Sequence, residues 1–359
     1  MGDANGVVAD GVTEVPIVLV ETDAGVTGTG FGPGFELDQV FSAIEGEDPR
    51  SVTALYDRML DRVFKAGHAG AVFGTIGALD TALWDIKAKL AGEPLWRLLG
   101  ARTSAVHAYA SGLDIGLSDD ELAMLYARYA ERGLRAAKLK GGLDVEKDLR
   151  RLKVVRDVLS DAGRPALMLD VNESWSRGEA VRHVAEIETA VDLTWIEEPV
   201  RRWDAEGLAA VGRGIRASVA SGENLTGLEQ YRPLLAAGSV GVVQAGAAWG
   251  ITHFLRVSAL AHGHDLPVSP VGSAPNWLAH AAAAVPNHLV CELQDLAMPV
   301  GIGTDWDVAD GAIVLGSRPG HGIEVDEAAI TAFRASAGWR APAGPHVRPR
   351  DAGLRLFAR

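Results

Sequence analysis

From about residue 105 onward one pattern repeats along the chain: a short apolar run, then a longer segment with apolar residues at helical spacing. The apolar runs are "VHAYA" (106–110), "RAAKLK" (135–140), "ALMLD" (166–170), "LTWIE" (193–197), "SVASGE" (218–223), "VGVVQ" (240–244), "LPVSP" (266–270) and "LVCEL" (289–293). Their spacing of roughly 22 to 32 residues is the length of one strand–helix unit with short loops. The intervening segments, such as "SDDELAMLYARYAERG" with Ser118 as its N-cap, carry helix signals. Eight such strands in series predict an α/β chain closed into a (β/α)8-type barrel, with an open doubly wound sheet as the competing arrangement. No G-x-G-x-x-G follows a first strand, and "GTGFGPG" has Pro33 where that spacing needs glycine.

The ends of the chain read differently. Residues 14 to 31 alternate as a hairpin around "DAG", and "FGTIGALDTALWDIKAKLAG" is helical up to Gly92. After residue 300 the chain reads as short strands and turns. The expected organisation is an N-terminal capping domain (1–102), a barrel domain (103–300) and a C-terminal segment (301–359) that returns to the cap.

Composition narrows the partners. A formal net charge of -13 argues against nucleic acid and against an anionic membrane surface. No apolar stretch reaches the ~20 residues of a membrane span, and the N-terminus lacks the apolar core of a signal peptide. The single cysteine, Cys291, allows no internal disulfide and reads as a buried filler, which fits a cytoplasmic protein. The expected partner is a small-molecule carboxylate, and a homo-oligomer is the default assembly.

In a barrel of this kind the site lies where the strands end. The second strand ends in Lys138 and Lys140, whose spacing puts both on one face. The next three end in Asp170 followed by Asn172, Glu197 followed by Glu198, and Glu223 followed by Asn224. Three carboxylates with no histidine or cysteine make a hard-oxygen site suited to Mg2+, with Mn2+ as a second choice. Strand parity points Glu197 inward and turns Glu198 aside, toward a lysine or another donor. A lysine beside another cation is expected to have a lowered pKa and to act as a base.

"KLK", "LDVNESW", "WIEEPV" and "SGENL", in this order, resemble the enolase superfamily, in particular its mandelate racemase and muconate lactonizing branch. "ALDTALWDIKAKLAGEPLWRLLGA" resembles the helix that precedes the barrel there. The resemblance implies a (β/α)7β modified TIM barrel with an α+β capping domain formed from both chain ends. It implies Mg2+ held by Asp170, Glu197 and Glu223. It also implies that Lys140, helped by Lys138, removes the proton α to a substrate carboxylate to give a metal-stabilised enediolate. Asn172, Glu198, Asn224, Glu292 and His68 are expected to support these groups or to face the substrate.

Two positions depart from that pattern. Racemases of the branch carry a second base: a histidine ending strand seven, supported by an aspartate ending strand six. Here Val271 and Gly246 stand at those places, and the strand-six loop is about two residues short. A single visible base favours β-elimination of water from a hydroxy or sugar acid. A racemase, epimerase or cycloisomerase of the same superfamily is the alternative, followed by a non-catalytic metal and carboxylate binder. Lys65, His68 and Glu36, in segments that cover the pocket in relatives, are the candidates for a second acid. Relatives carry a further capping strand before the hairpin, so either the start is shortened or the cap is reduced.

Overall fold

A computed structural model describes residues 1–4, 15–65, 67, 69–160, 163–294 and 298–336. The first hairpin pairs β1 (Ile17–Glu21) with β2 (Thr27–Phe31). It packs on a helical layer of α1 (Leu37–Phe41), α2 (Val52–Arg62), α3 (Ala71–Ala91) and α4 (Leu95–Leu98). Helix α3 is buried on nearly all sides because it lies between this hairpin and the barrel. A Cβ on Gly77 would come within 2.4 Å of the Ala248 carbonyl oxygen, so only glycine lets α3 approach the barrel this closely. Buried Asp80 of α3 fixes the contact by accepting from Thr252 N and Oγ1 at 2.7 and 2.5 Å.

The barrel strands are β3 (Ala105–Ser111), β4 (Ala136–Lys140), β5 (Ala166–Asp170), β6 (Trp195–Glu197), β7 (Ser218–Ser221), β8 (Val242–Gly246), β9 (Val268–Val271) and β10 (Cys291–Gln294). They pair in parallel and in sequence, and β10 pairs with β3 to close the ring. A parallel bridge ties Val268 of β9 to His288, in the segment leading into β10. Seven helices cover the outside: α5 (Asp119–Glu131), α6 (Val145–Leu159), α7 (Arg177–Ile187), α8 (Ala205–Gly214), α9 (Leu228–Ala236), α10 (Ile251–His262) and the short α11 (Leu278–Ala282). Ser118 caps α5 in a reciprocal capping box with Glu121. Since no helix among the described residues directly follows β10, the fold is the (β/α)7β form of the barrel.

Tyr109, Met168, Trp195, Ala220 and Val242 pack together inside the ring and form an apolar floor. Their alternation fixes which later residue of each strand faces inward at the mouth. Cys291 is buried and unpaired.

The tail divides between cap and barrel. β11 (Ile302–Thr304) pairs with β14 (Ile323–Val325), while buried His321 donates from its backbone to Asp85 of α3 at 3.0 Å. The hairpin of β12 (Asp307–Ala309) and β13 (Ala312–Val314) instead joins the start of β3, at residues whose backbone has no barrel neighbour. The last described element is α12 (Glu327–Arg334). No helix among the described residues is long and apolar enough to cross a membrane.

Candidate active site

The two lysines sit on a strand held by its neighbours' buried polar groups. Asp114, in the loop after β3, accepts from the Lys140 backbone N–H at 3.0 Å and from Arg151 Nη2 at 2.9 Å. Arg151 Nη1 donates to the Lys140 carbonyl at 2.6 Å, and Tyr126 donates to the Lys138 carbonyl at 2.7 Å. Asp114, Arg151 and Tyr126 are fully buried, so the position of "KLK" is set by contacts that water does not loosen.

Inside the ring, Lys138 Nζ lies 2.6 Å from Glu197 Oε1, 3.0 Å from Glu292 Oε1 and 3.6 Å from Asp170 Oδ2. Lys140 Nζ lies 2.5 Å from Asp170 Oδ2. The Trp195 indole donates to Glu197 at 3.0 Å, and the Gly272 backbone donates to Glu292 at 2.9 Å. Asn172 donates to Asp170 from its backbone at 2.9 Å and from its amide at 3.3 Å. Glu198 takes the Asn224 amide at 2.9 Å and not a lysine; the same amide reaches Glu223 at 3.2 Å. Asn172, Glu173 and Glu198 all adopt left-handed backbone conformations (φ 44°, 61° and 43°) just beyond the ends of β5 and β6. Strain of this kind gathers at functional sites.

The structure thus brings Lys138, Lys140, Asp170, Asn172, Glu197, Glu198, Glu223, Asn224 and Glu292 to one end of the barrel. His68 lies outside the described residues. Glu36 is exposed on the cap, as is Lys65. Among the described residues no three histidine, cysteine, aspartate or glutamate side chains are gathered into a ready metal cage. Ammonium groups stand between the carboxylates instead.

The charges are unbalanced. Asp170, Glu197, Glu198, Glu223 and Glu292 face two ammonium groups, and all but the partly exposed Glu223 are buried. Burial pushes Glu197, Glu198 and Glu223 up, and mutual repulsion with Asp170 adds to it. Burial also opposes the charge on Asp170, but adjacent Lys140 and Lys138 hold it below the usual carboxylate range. A hard cation that takes oxygen donors fits this donor set, since it would supply the missing positive charge.

The charges around Lys140 act on its pKa in both directions. Lys140 was expected to have a lowered pKa because of Lys138. Burial and Lys138 do act in that direction, but in this charge environment Asp170, Glu223 and Glu197 outweigh them and the pKa is raised. Lys138 is raised for the same reason, with Glu197 and Glu292 as its main partners.

Across the ring from β4, the end of β8 carries no titratable group. Gly246 is its last residue, and the Trp249 indole stands over it, donating to the Glu223 carbonyl at 2.5 Å. Buried Val271 ends β9. Trp249, Gln244 and the Asp114–Arg151 pair were not singled out from the sequence. Gln244 had a visible signal, a polar amide within the apolar run "VGVVQ". The other two depend on contacts between distant segments.

Residues 7–100 match the mandelate racemase/muconate lactonizing enzyme N-terminal domain, and residues 121–329 match the enolase C-terminal domain-like family. The chain belongs to this branch of the enolase superfamily. It is 32% identical over 284 residues to the 3,6-anhydro-alpha-L-galactonate cycloisomerase of Streptomyces coelicolor, covering 78% of each chain. It is 32% identical over 333 residues to the L-talarate/galactarate dehydratase of Salmonella typhimurium, covering 89% of this chain and 82% of that one. Its fold matches the crystal structure of L-talarate dehydratase from Polaromonas complexed with Mg and L-glucarate, with a TM-score of 0.78, 30% identity and coverage of 88% and 87%.

Proposed function

We propose that this protein is a Mg2+-dependent enzyme that removes the proton α to the carboxylate of a sugar acid and expels the β-hydroxyl as water. Asp170, Glu197 and Glu223 would hold the ion, with Asn172, Asn224 and Glu198 orienting them. Bound there, Mg2+ would stabilise the negative charge that develops on the substrate carboxylate as the α-proton leaves. Carboxylates engaged in this way no longer fully neutralise the lysines, so the charge on Lys138 then acts to lower the Lys140 pKa.

Lys140 is the base. Its ammonium position, 2.5 Å from Asp170 at the shared mouth of β4 and β5, is the observation that carries the reading. Opposite it stand Gly246, Val271 and Trp249, none of which titrates. Proton removal and return therefore both fall to Lys140. The α-C–H and β-C–O bonds break, the carbon–carbon double bond forms, and the proton on Lys140 passes to the departing hydroxyl to give water. The enol tautomerises to a 2-keto acid. Ring opening or closure of a sugar acid is the second reading. It is favoured by the similarity to the Streptomyces cycloisomerase, and it uses the same first step.

The test is α-hydrogen exchange in deuterated water with a panel of sugar acids, with and without Mg2+. Exchange that requires Mg2+ and is followed by 2-keto acid formation is expected. Tight binding of a sugar acid with no exchange would identify a carboxylate-binding relative without turnover.

A further inference from the structure

Gln244 is a fully buried amide with neither Oε1 nor Nε2 hydrogen-bonded to a protein group. Val242 packs into the apolar floor of the barrel, so Gln244, two residues along the same strand, points into the interior as well. Inward side chains of alternate strands share a layer in this architecture. By that rule β4, β6, β8 and β10 contribute Lys138, Glu197, Gln244 and Glu292. Three of these are joined, since Lys138 meets Glu197 at 2.6 Å and Glu292 at 3.0 Å. The fourth is left over. Toward the mouth, Gly222, Gly246 and Val271 offer it no polar side chain.

The backbone beneath this amide is fixed. The Tyr231 hydroxyl shares its one proton between the Gly222 carbonyl at 2.8 Å and the Gln244 carbonyl at 3.0 Å, tying β8 to the end of β7. An immobile buried amide with both ends unpaired is costly unless a ligand or an internal water completes it.

We propose that Gln244 receives a hydroxyl group of the substrate, its Oε1 accepting the O–H and its Nε2 donating to the oxygen. A hydroxyl matches both ends of the amide. A carboxylate would set an anion against Oε1, and an ammonium would set a cation against Nε2. The inference rests on the sugar-acid reading and deepens it: Gln244 selects polyhydroxy acids over plain carboxylic acids of the same length.

The test uses the Lys140→Ala protein with Mg2+, in which binding is measured by calorimetry without turnover. The probes are galactarate, glucarate and adipate, a six-carbon diacid with no hydroxyls. Gln244→Leu in this background is expected to weaken galactarate or glucarate about tenfold or more while leaving adipate and Mg2+ binding unchanged. Gln244→Met provides the same test if the leucine variant does not fold. Unchanged sugar-acid binding would overturn the inference and show that the amide holds only a buried water. Equal weakening of adipate would also overturn it, by showing general damage to the site. Wild-type protein that neither binds nor exchanges any sugar acid would overturn the functional reading itself, and this inference with it.

Discussion

The Trp249 indole lies against Gly246, where a side chain at residue 246 would have to stand. A Cβ on Gly246 would lie 2.9 Å from Trp249 Nε1 and 2.6 Å from the Glu223 carbonyl oxygen. The indole in turn packs against Phe73 of the cap, with ring centroids 5.9 Å apart. The end of β8 is therefore sealed by an aromatic side chain, and an acid placed at residue 246 has no room. Gly246→Ala should cost roughly 1–3 kcal/mol of stability through overpacking, and Gly246→Asp more. Chemical denaturation measures both, and removing the indole in Gly246→Asp/Trp249→Ala should recover part of the loss.

The lysine-bearing strand depends on a buried ion pair outside the barrel. Removing the Arg151 guanidinium leaves buried Asp114 without its cationic partner, with the Lys140 backbone N–H still donating to it. Arg151→Met should destabilise the fold by about 3–5 kcal/mol, and Arg151→Met/Asp114→Asn by clearly less. Urea unfolding of the two variants beside the wild type checks the ordering.

His253 gives a pH prediction away from the site. Its ring is buried against Phe73 and Tyr231, with no protein partner for either nitrogen. Burial lowers its pKa from 6.5 to about 3. The folded state therefore favours the neutral ring. The stabilisation is fully present above the unfolded pKa and is lost as pH falls from 6.5 toward 3. The loss runs at about 1.4 kcal/mol per pH unit, or about 2 kcal/mol at pH 5. His253→Phe removes this term, so its stability relative to wild type should rise as the pH is lowered from 7 to 5. A constant difference across that range would contradict the assignment.

Glu197 stands between Lys138 and the proposed ion. Glu197→Gln keeps the shape but removes the charge that faces Lys138 at 2.6 Å. Mg2+ affinity should fall by more than the roughly 10–100-fold typical of losing a supporting residue. Calorimetric titration with Mg2+ reads this directly.

The repeating strand–helix texture made the barrel legible because its period is local: each strand announces itself by an apolar run, and helices such as the one capped by Ser118 by their spacing. The inward direction of Lys138, Lys140, Asp170 and Glu197 was also legible, since alternation along a strand follows from backbone geometry. The balance of charges around Lys140 was not. It depends on how many carboxylates surround the amine, and Asp170, Glu197 and Glu223 come from three other loops or strands. The clamp of Asp114 and Arg151 was hidden for the same reason, since residues 37 positions apart meet only in the folded chain. Gly246 and Val271 were visible as departures, whereas the Trp249 indole that fills the space became evident only from packing.

The central claim is that Lys140 moves the α-proton beside a carboxylate-held Mg2+. The most direct measurement is α-hydrogen exchange in deuterated water, with the best exchanging sugar acid, for wild type and Lys140→Ala at saturating Mg2+. The account predicts loss of exchange by at least about 10²–10⁴-fold, with Mg2+ binding retained. Exchange at the wild-type rate in the alanine variant would contradict it.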